Sequence, residues 1–333
     1  IVVIVAWVSE WIFRKLFPPR KMLVVYEEYD PTDFIRKLNT RKDKYKVEQK
    51  INVSVGLKVL EEEIKKYEGV VIYDVHSEMR NKILKFCYGN DIRAYSTTKV
   101  SDILIRGAES LHIFDTPLLL YRNHGLSFEQ RFVKRTMDIV VSALMLLITS
   151  PIFLIASIAI KLYDGGPVFY RQARCTMNGK VFHIFKFRSM IVDAEKDGKS
   201  QPAADHDPRI TPVGRVLRAT RLDELPQLID ILIGNMSLVG PRPERVEHVE
   251  KYTEDLAEFE YRLKVRGGLT GYAQIYGKYN TSPYDKLQLD LIYIQNYSIF
   301  LDIKLILMTI KIMFMKESTE GFSEEQKKQY VDR

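Results

Sequence analysis

The chain has 333 residues, of which 46% are hydrophobic, and 50 Lys and Arg stand against 43 Asp and Glu for a net charge of +7. That length holds two or more domains with ample material for a core, and the positive balance suits anionic partners: acidic lipid headgroups, a nucleotide or nucleic acid. Two distant cysteines, Cys87 and Cys175, with no C-x-x-C or His/Cys cluster, suggest neither a disulfide framework nor a zinc site and fit a reducing cytoplasm.

The opening IVVIVAWVSEW, followed by Arg14, Lys15, Arg20 and Lys21, reads as the end of a transmembrane helix over residues 1–21 that exits into the cytoplasm. Trp7 and Trp11 belong to its interfacial belt, and further membrane segments can precede it. A signal peptide would carry its basic residues ahead of the apolar stretch. From Met22 to about Tyr121 short apolar runs (MLVVY, VVIYDV, IRAYS, DILIRGA, LHIFDTPLLLY) alternate with polar helical stretches such as GLKVLEEEIKKY. This predicts a Rossmann-like parallel sheet of about five strands over residues 22–125. No G-x-G-x-x-G follows the first strand, so the domain is equally a scaffold or a nucleotide sensor.

A second unit over residues 126–315 opens with an uncharged run, Ile139 to Ile160, interrupted by Ser150-Pro151. About 20 helical residues match a bilayer core of roughly 30 Å. Pro151 removes a backbone donor and predicts a kink or break, leaving two halves of about 11 residues that are each too short to span. Arg131, Lys134 and Arg135 flank one end and Lys161 the other, which puts both ends on one face. The run therefore reads as a re-entrant hairpin, with a spanning helix or a buried core helix as alternatives. The segment IFLDIKLILMTIKIMFM, Ile299 to Met315, sets Lys304 and Lys311 on one helical face, as an interfacial helix or a packed core helix would. Residues 316–333 form a polar tail.

Chemistry concentrates between Ile210 and Glu244. Asp223 and Glu224 precede Pro226, which is placed to start the helix LIDILI. Such acids can be helix caps. Here they sit among Arg215, Arg218 and Arg221, with further cations in KFRSM (186–190), GPRPE (240–244) and VRGGLTGYAQIYGKYN (265–280). Glycine-rich turns with arginines approach phosphate oxygens closely, and paired carboxylates amid cations suggest a divalent metal and a phosphate substrate. His183, His206 and His248 show no ligand or nucleophile spacing, and no G-x-S-x-G or Walker A motif is present.

From Phe132 to about Phe314 the chain resembles the bacterial sugar transferases, the monotopic polyprenyl-phosphate phosphoglycosyl transferases. The resemblance rests on KRTMD (Lys134–Asp138), Ser150-Pro151, GGPVFYRQAR (165–174), KFRSM, DPRITPVGRVLR (207–218), LDELPQL, SLVGPRPE and LTGYAQI. The preceding helix and Rossmann-like domain are similar to the long members of that family. Two segments depart from it: the usual R-P-G-I/L-T-G-W reads Arg266-Gly267-Gly268-Leu269-Thr270-Gly271-Tyr272, and a G-R-N-type segment reads Gly277-Lys278-Tyr279-Asn280.

The resemblance implies an α/β chain whose second domain is mainly helical and monotopic, at the cytoplasmic face of the bacterial inner membrane. It implies transfer of a hexose 1-phosphate from a UDP-sugar to polyprenyl phosphate with release of UMP, in exopolysaccharide, capsule or O-antigen synthesis. Asp223 is the implied nucleophile, Glu224 and Asp223 the implied ligands of Mg2+ (or Mn2+), and Lys186, Arg188, Arg242 and Arg266 the implied phosphate-binding cations. Lys134, Arg135, Asp138, Ser150 and Pro151 belong to the membrane hairpin. The implied partners are the UDP-sugar, the polyprenyl phosphate, membrane lipids and a second copy of the chain, with no nucleic acid. Direct attack of the lipid phosphate and a non-catalytic regulatory role are the competing readings.

Overall fold

The computed structural model describes residues 18–41, 43–121, 125–192, 194, 207–277 and 281–313, together with Trp7 and Leu16. Trp11, Arg14 and Lys15, the Lys278–Asn280 departure, His206 and the 316–333 tail lie outside the described residues. The chain divides into two compact units, Ile1–Thr98 and Lys99–Arg333.

The first unit is a parallel sheet of β1 (Arg20–Tyr26), β2 (Tyr45–Asn52), β3 (Gly69–Tyr73) and β4 (Arg93–Ser96) in the order β2-β1-β3-β4. Arg20 and Lys21, read from sequence as a membrane flank, open β1 and pair with Tyr45 and Lys46 of β2. Helices α1 (Thr32–Asn39), α2 (Leu57–Ile64) and α3 (Ser77–Gly89) complete the unit. Strand side chains alternate between faces: Leu23, Val25, Val70 and Ile72 pack with Leu60, Ile64 and Ile83, while Met22, Val24 and Val71 pack with Phe34, Ile35 and Leu38. A continuous apolar run such as MLVVY is what a strand covered on both faces requires.

The parallel sheet matches the sequence expectation, but its fifth strand is absent among the described residues. DILIRGA lies mostly in helix α4 (Val100–Arg106), because the Lys99 N–H donates to Asp102 Oδ2 at 2.8 Å and Val100 and Ile103 then enter the core of the second unit. LHIFDTPLLLY folds into an antiparallel hairpin, β5 (Glu109–Ile113) and β6 (Thr116–Leu120), separate from the sheet.

The second unit opens with α5 (Phe128–Asp164), started by a capping box between Ser127 and Gln130 and stopped at Gly165 with φ 71°. Pro151 does not break the helix, which runs continuously over 37 residues. Proline deletes the N–H owed to the Leu147 carbonyl, and the Ser150 hydroxyl supplies a donor there at 2.8 Å, while Thr149 bonds the Met145 carbonyl at 2.7 Å. Such hydroxyls let a helix carry proline where water is scarce. The helix is long and apolar enough to cross a membrane. Met137, Val141 and Leu146 pack on the main core, whereas Phe153, Ala156 and Ile160 pack on Phe187 and Leu217. Leu144, Leu147, Ile148, Leu154, Ile155 and Leu162 are exposed.

After α5 come the antiparallel pair β7 (Phe169–Cys175) and β8 (Val181–Phe187), then α6 (Pro212–Ala219) and α7 (Gln227–Ile233). Strands β9 (Ser237–Val239) and β10 (Gly268–Thr270) pair in parallel, and α8 (Val246–Asp255), α9 (Tyr272–Tyr276), α10 (Pro283–Gln295) and α11 (Ile299–Met313) surround them. On α11, Asp302 and Leu305 are buried, while Phe300, Ile303, Leu307 and Ile310 are exposed beside Lys304 and Lys311.

Candidate active site

Asp223 and Glu224 occupy a short 3-10 turn, Leu222–Glu224, between α6 and α7. The sequence builds this turn from both sides. Thr211 caps α6 by accepting from Gly214 N at 2.9 Å, and Pro212 fixes its first turn. Arg221 then takes left-handed backbone values, φ 55° and ψ 16°, which redirect the chain at a cost that a side chain seldom bears. Pro226 precedes α7, which starts at Gln227 as the sequence predicted, and no side chain caps it. The dyad is therefore not a cap.

Glu224 Oε1 accepts from Lys186 Nζ on β8 at 3.1 Å and from Arg242 in the loop after β9 at 2.7 Å. Burial favours the neutral acid, yet Arg242 and Lys186 overcome it and hold Glu224 well below the usual carboxylate range. Asp223 moves the opposite way: burial, then the Glu224 charge, push it up, against the pull of Lys186, Arg218 and Arg242. Burial also pushes Lys186 down, despite Glu224. Adjacent carboxyls whose affinities for a proton are driven apart are equipped for different roles.

A small cleft of about 10 Å³, room for about one water, lies at the two cations that meet Glu224 and is lined by Arg174, Ile184, Lys186, Gln227, Arg242, Pro243 and Gly268. Gln227 Nε2 and Arg174 Nε are buried donors without a partner among the described residues. Buried donors of this kind carry a penalty of roughly 1–3 kcal/mol each unless something accepts from them. Gly268 is required by close approach, since a Cβ there would lie 2.1 Å from Gly240 N.

Of the four phosphate-binding cations expected, Lys186 and Arg242 meet at Glu224; the other two are placed elsewhere. Arg188 pairs with Asp164 at the end of α5, with its guanidinium over Gly166, where a Cβ would collide with it. Arg266 is half-buried, and burial, then Arg135, push its pKa down. The hairpin residues are likewise tied into the unit. Lys134, read as a membrane flank, is buried, with its Nζ 2.6 Å from Asp302 and 3.0 Å from the Tyr293 hydroxyl. Arg135 donates to the Ile231 and Leu232 carbonyls at 2.6 and 2.7 Å, closing the C-terminus of α7. Asp138 Oδ1 accepts from Ser237 Oγ at 3.0 Å and Leu238 N at 2.9 Å. An ammonium group this enclosed needs a carboxylate partner, and Asp302 from far along the chain provides one. Sequence spacing held no sign of that pairing.

Sequence reasoning quoted Arg174, Gln227 and Glu244 inside motifs without giving them roles, and it missed Arg262 and Asp290. For Gln227 the available signal was an uncharged polar residue at the first position of the mainly apolar helix that Pro226 starts. The Gly267 departure has a local cause. Its N–H donates to Thr176 Oγ1 at 3.2 Å, which proline could not do, and a Cβ would stand 2.7 Å from the Pro243 ring.

The sequence profile described as bacterial sugar transferase matches residues 129–316, more than half of the chain. This protein belongs to the bacterial sugar transferase family. Among curated members, a Klebsiella pneumoniae UDP-glucose:undecaprenyl-phosphate glucose-1-phosphate transferase is 38% identical over 254 residues, covering 75% of this chain and 53% of its own. The Escherichia coli K12 transferase of the same name is 42% identical over 211 residues, 62% of this chain and 44% of its own. A Salmonella typhimurium undecaprenyl-phosphate galactose phosphotransferase is 37% identical over 215 residues, 60% of this chain and 44% of its own. The chain thus spans about half the length of these sugar transferases.

Proposed function

We propose that this sugar transferase moves a hexose 1-phosphate from a UDP-sugar to polyprenyl phosphate and releases UMP, at the cytoplasmic face of a bacterial inner membrane. The observation that carries the reading is the Asp223–Glu224 turn, set against Lys186 and Arg242 at a cleft with unpartnered donors. Donor and acceptor are both anionic, so attack on phosphorus requires cations placed in advance. An Asp223 carboxylate oxygen forms a bond to the sugar-linked phosphorus, the bond from that phosphorus to the bridging oxygen breaks, and UMP leaves. An oxygen of the lipid phosphate then attacks the same phosphorus, and Asp223 departs as a free carboxylate. Glu224, kept ionised by its two cations, holds Lys186 and Arg242 in place beside the reacting group.

The residues fit a magnesium ion. Among the described residues no cluster of three or more metal-binding side chains exists, but magnesium bound with substrate phosphates needs only one or two carboxylates. Glu224 and Asp223 would be those carboxylates. When bound, the ion neutralises diphosphate charge.

For the membrane, we infer that α5, continuous but bent at Pro151, enters and returns on one side, with α11 lying at the interface. Segments on both sides of Pro151 pack on the same unit, whereas a spanning helix would carry one end away from it. The exposed apolar row of α11, flanked by Lys304 and Lys311, suits the headgroup boundary. Purified protein in nanodiscs, given magnesium and a panel of UDP-sugars without lipid acceptor, tests the mechanism. A sugar-phosphate adduct on Asp223 with one donor is expected and names the sugar. UMP released only after polyprenyl phosphate is added would replace the covalent route with direct attack.

A further inference from the structure

The loop that carries Arg242 is held from behind by a buried ion pair. Arg262, 2% exposed, donates through Nε to Asp290 Oδ2 at 2.9 Å. Its terminal nitrogen lies 2.7 Å from the same carboxylate and also donates to the backbone carbonyl of Arg242 at 2.9 Å. The guanidinium stacks over Phe259, 4.9 Å from the ring centre, so its plane is set by packing as well as by charge. On either side, Arg174 donates to the Pro243 carbonyl at 3.0 Å and Lys286 binds Glu244 at 2.8 Å. Lys286 and Arg262 hold Glu244 down at about 2 even though burial works against ionisation.

A buried ion pair is a poor device for stability, because well-packed apolar residues of similar volume are often as stabilising or more so. What an apolar pair cannot supply here is a donor for the Arg242 carbonyl. Prolines at 241 and 243 leave that peptide few other ways to be held, since neither has an N–H. We infer that Arg262, fixed by Asp290, is a positioning residue: it locks the Arg242 backbone so that the Arg242 side chain stands against Glu224 and the cleft. The inference rests on the transfer reaction proposed above.

Two variants and two readouts test it. Arg262→Lys keeps a charge for Asp290 but cannot reach two acceptors with a planar fork; Arg262→Met with Asp290→Leu removes both charges together and keeps an apolar pair in the core. The expected result in both is kcat lower by about 100-fold, the scale of a small misplacement near reacting atoms, with KM for the UDP-sugar within about threefold. Adding Arg242→Ala to either variant costs far less than it does in the wild type, because the positioned group is already lost. Hydrogen exchange of the peptide spanning residues 240–245 is expected to quicken in both variants, while β1–β4 are unchanged. Unaltered exchange in that loop overturns the brace. Faster exchange with wild-type kcat, or losses that add fully with Arg242→Ala, overturns the positioning role. If the wild type releases no UMP with any donor, the transfer reading fails, and exchange alone decides the brace.

Discussion

The two units bury different kinds of residue. The sheet unit is filled by Met22, Leu23, Val24, Val25, Leu60, Ile64, Val70 and Ile72, and its charges lie on the surface. Every buried charged side chain among the described residues, including Lys134, Asp138, Arg188, Asp230, Glu244, Arg262, Asp290 and Asp302, belongs to the second unit. Taking ions out of water costs several kcal/mol each and is recovered only through well-formed partners. A fold that needed stability alone could use the solution seen in the sheet. The second unit instead spends buried charge on holding particular groups, Glu224 and Arg242 above all, in one arrangement.

That contrast can be broken at several strengths. The largest expected effect is Asp223→Asn, which lowers UMP release by about 10⁴-fold or more, as loss of a covalent nucleophile does, with membrane association unchanged in flotation; retained turnover removes Asp223 as nucleophile. Next, Lys134→Met strands Asp302 in the core and is expected to destabilise the second unit by about 3–5 kcal/mol in denaturant titration. Adding Asp302→Leu should recover much of that loss, and an equal or greater loss would show that the pair stabilises in its own right. In the sheet unit, Ile72→Ala is a cavity mutation expected to cost about 2–5 kcal/mol, with turnover per folded molecule unchanged.

A subtler effect concerns pH. Asp223 must be ionised to attack, and its affinity for a proton is raised, so turnover should fall on acidification through a pH higher than the ordinary 3.8 of an aspartate. Arg218→Ala removes a cation that opposes this rise and should move the acid limb further up; movement downward would deny Arg218 any electrostatic hold on Asp223. The smallest change belongs to the surface of the sheet unit. Glu63→Ala, which breaks the exposed pair with Lys66, should leave the unfolding midpoint unresolved from wild type.

Much of the molecule was legible because its signals are local. Strand runs, the helix start beside Pro226 and the dyad itself each lie within a few residues of what creates them. The missed parts are of another kind. DILIRGA carries an apolar run that suits strand or helix alike, and only the core waiting for Val100 and Ile103 settled it as helix. Pro151 announced a kink or a break; the helix does not break there, and the Ser150 hydroxyl bonds the Leu147 carbonyl that the proline leaves without its N–H.

By itself, the sequence determined the parallel sheet, the long apolar helix, the Asp223–Glu224 turn and the family. Periodicity, capping and proline act through neighbouring atoms and need no distant partner. Tertiary structure decided which cations meet Glu224 and which are occupied elsewhere: Lys186 and Arg242 converge on it from β8 and the β9 loop, while Arg188 goes to Asp164. It also decided that Lys134 lies inside the unit and that Arg262 stands behind Arg242. A charge has no periodicity to reveal its partner. Coulomb attraction and desolvation depend on distances set only when separate stretches of chain are packed together.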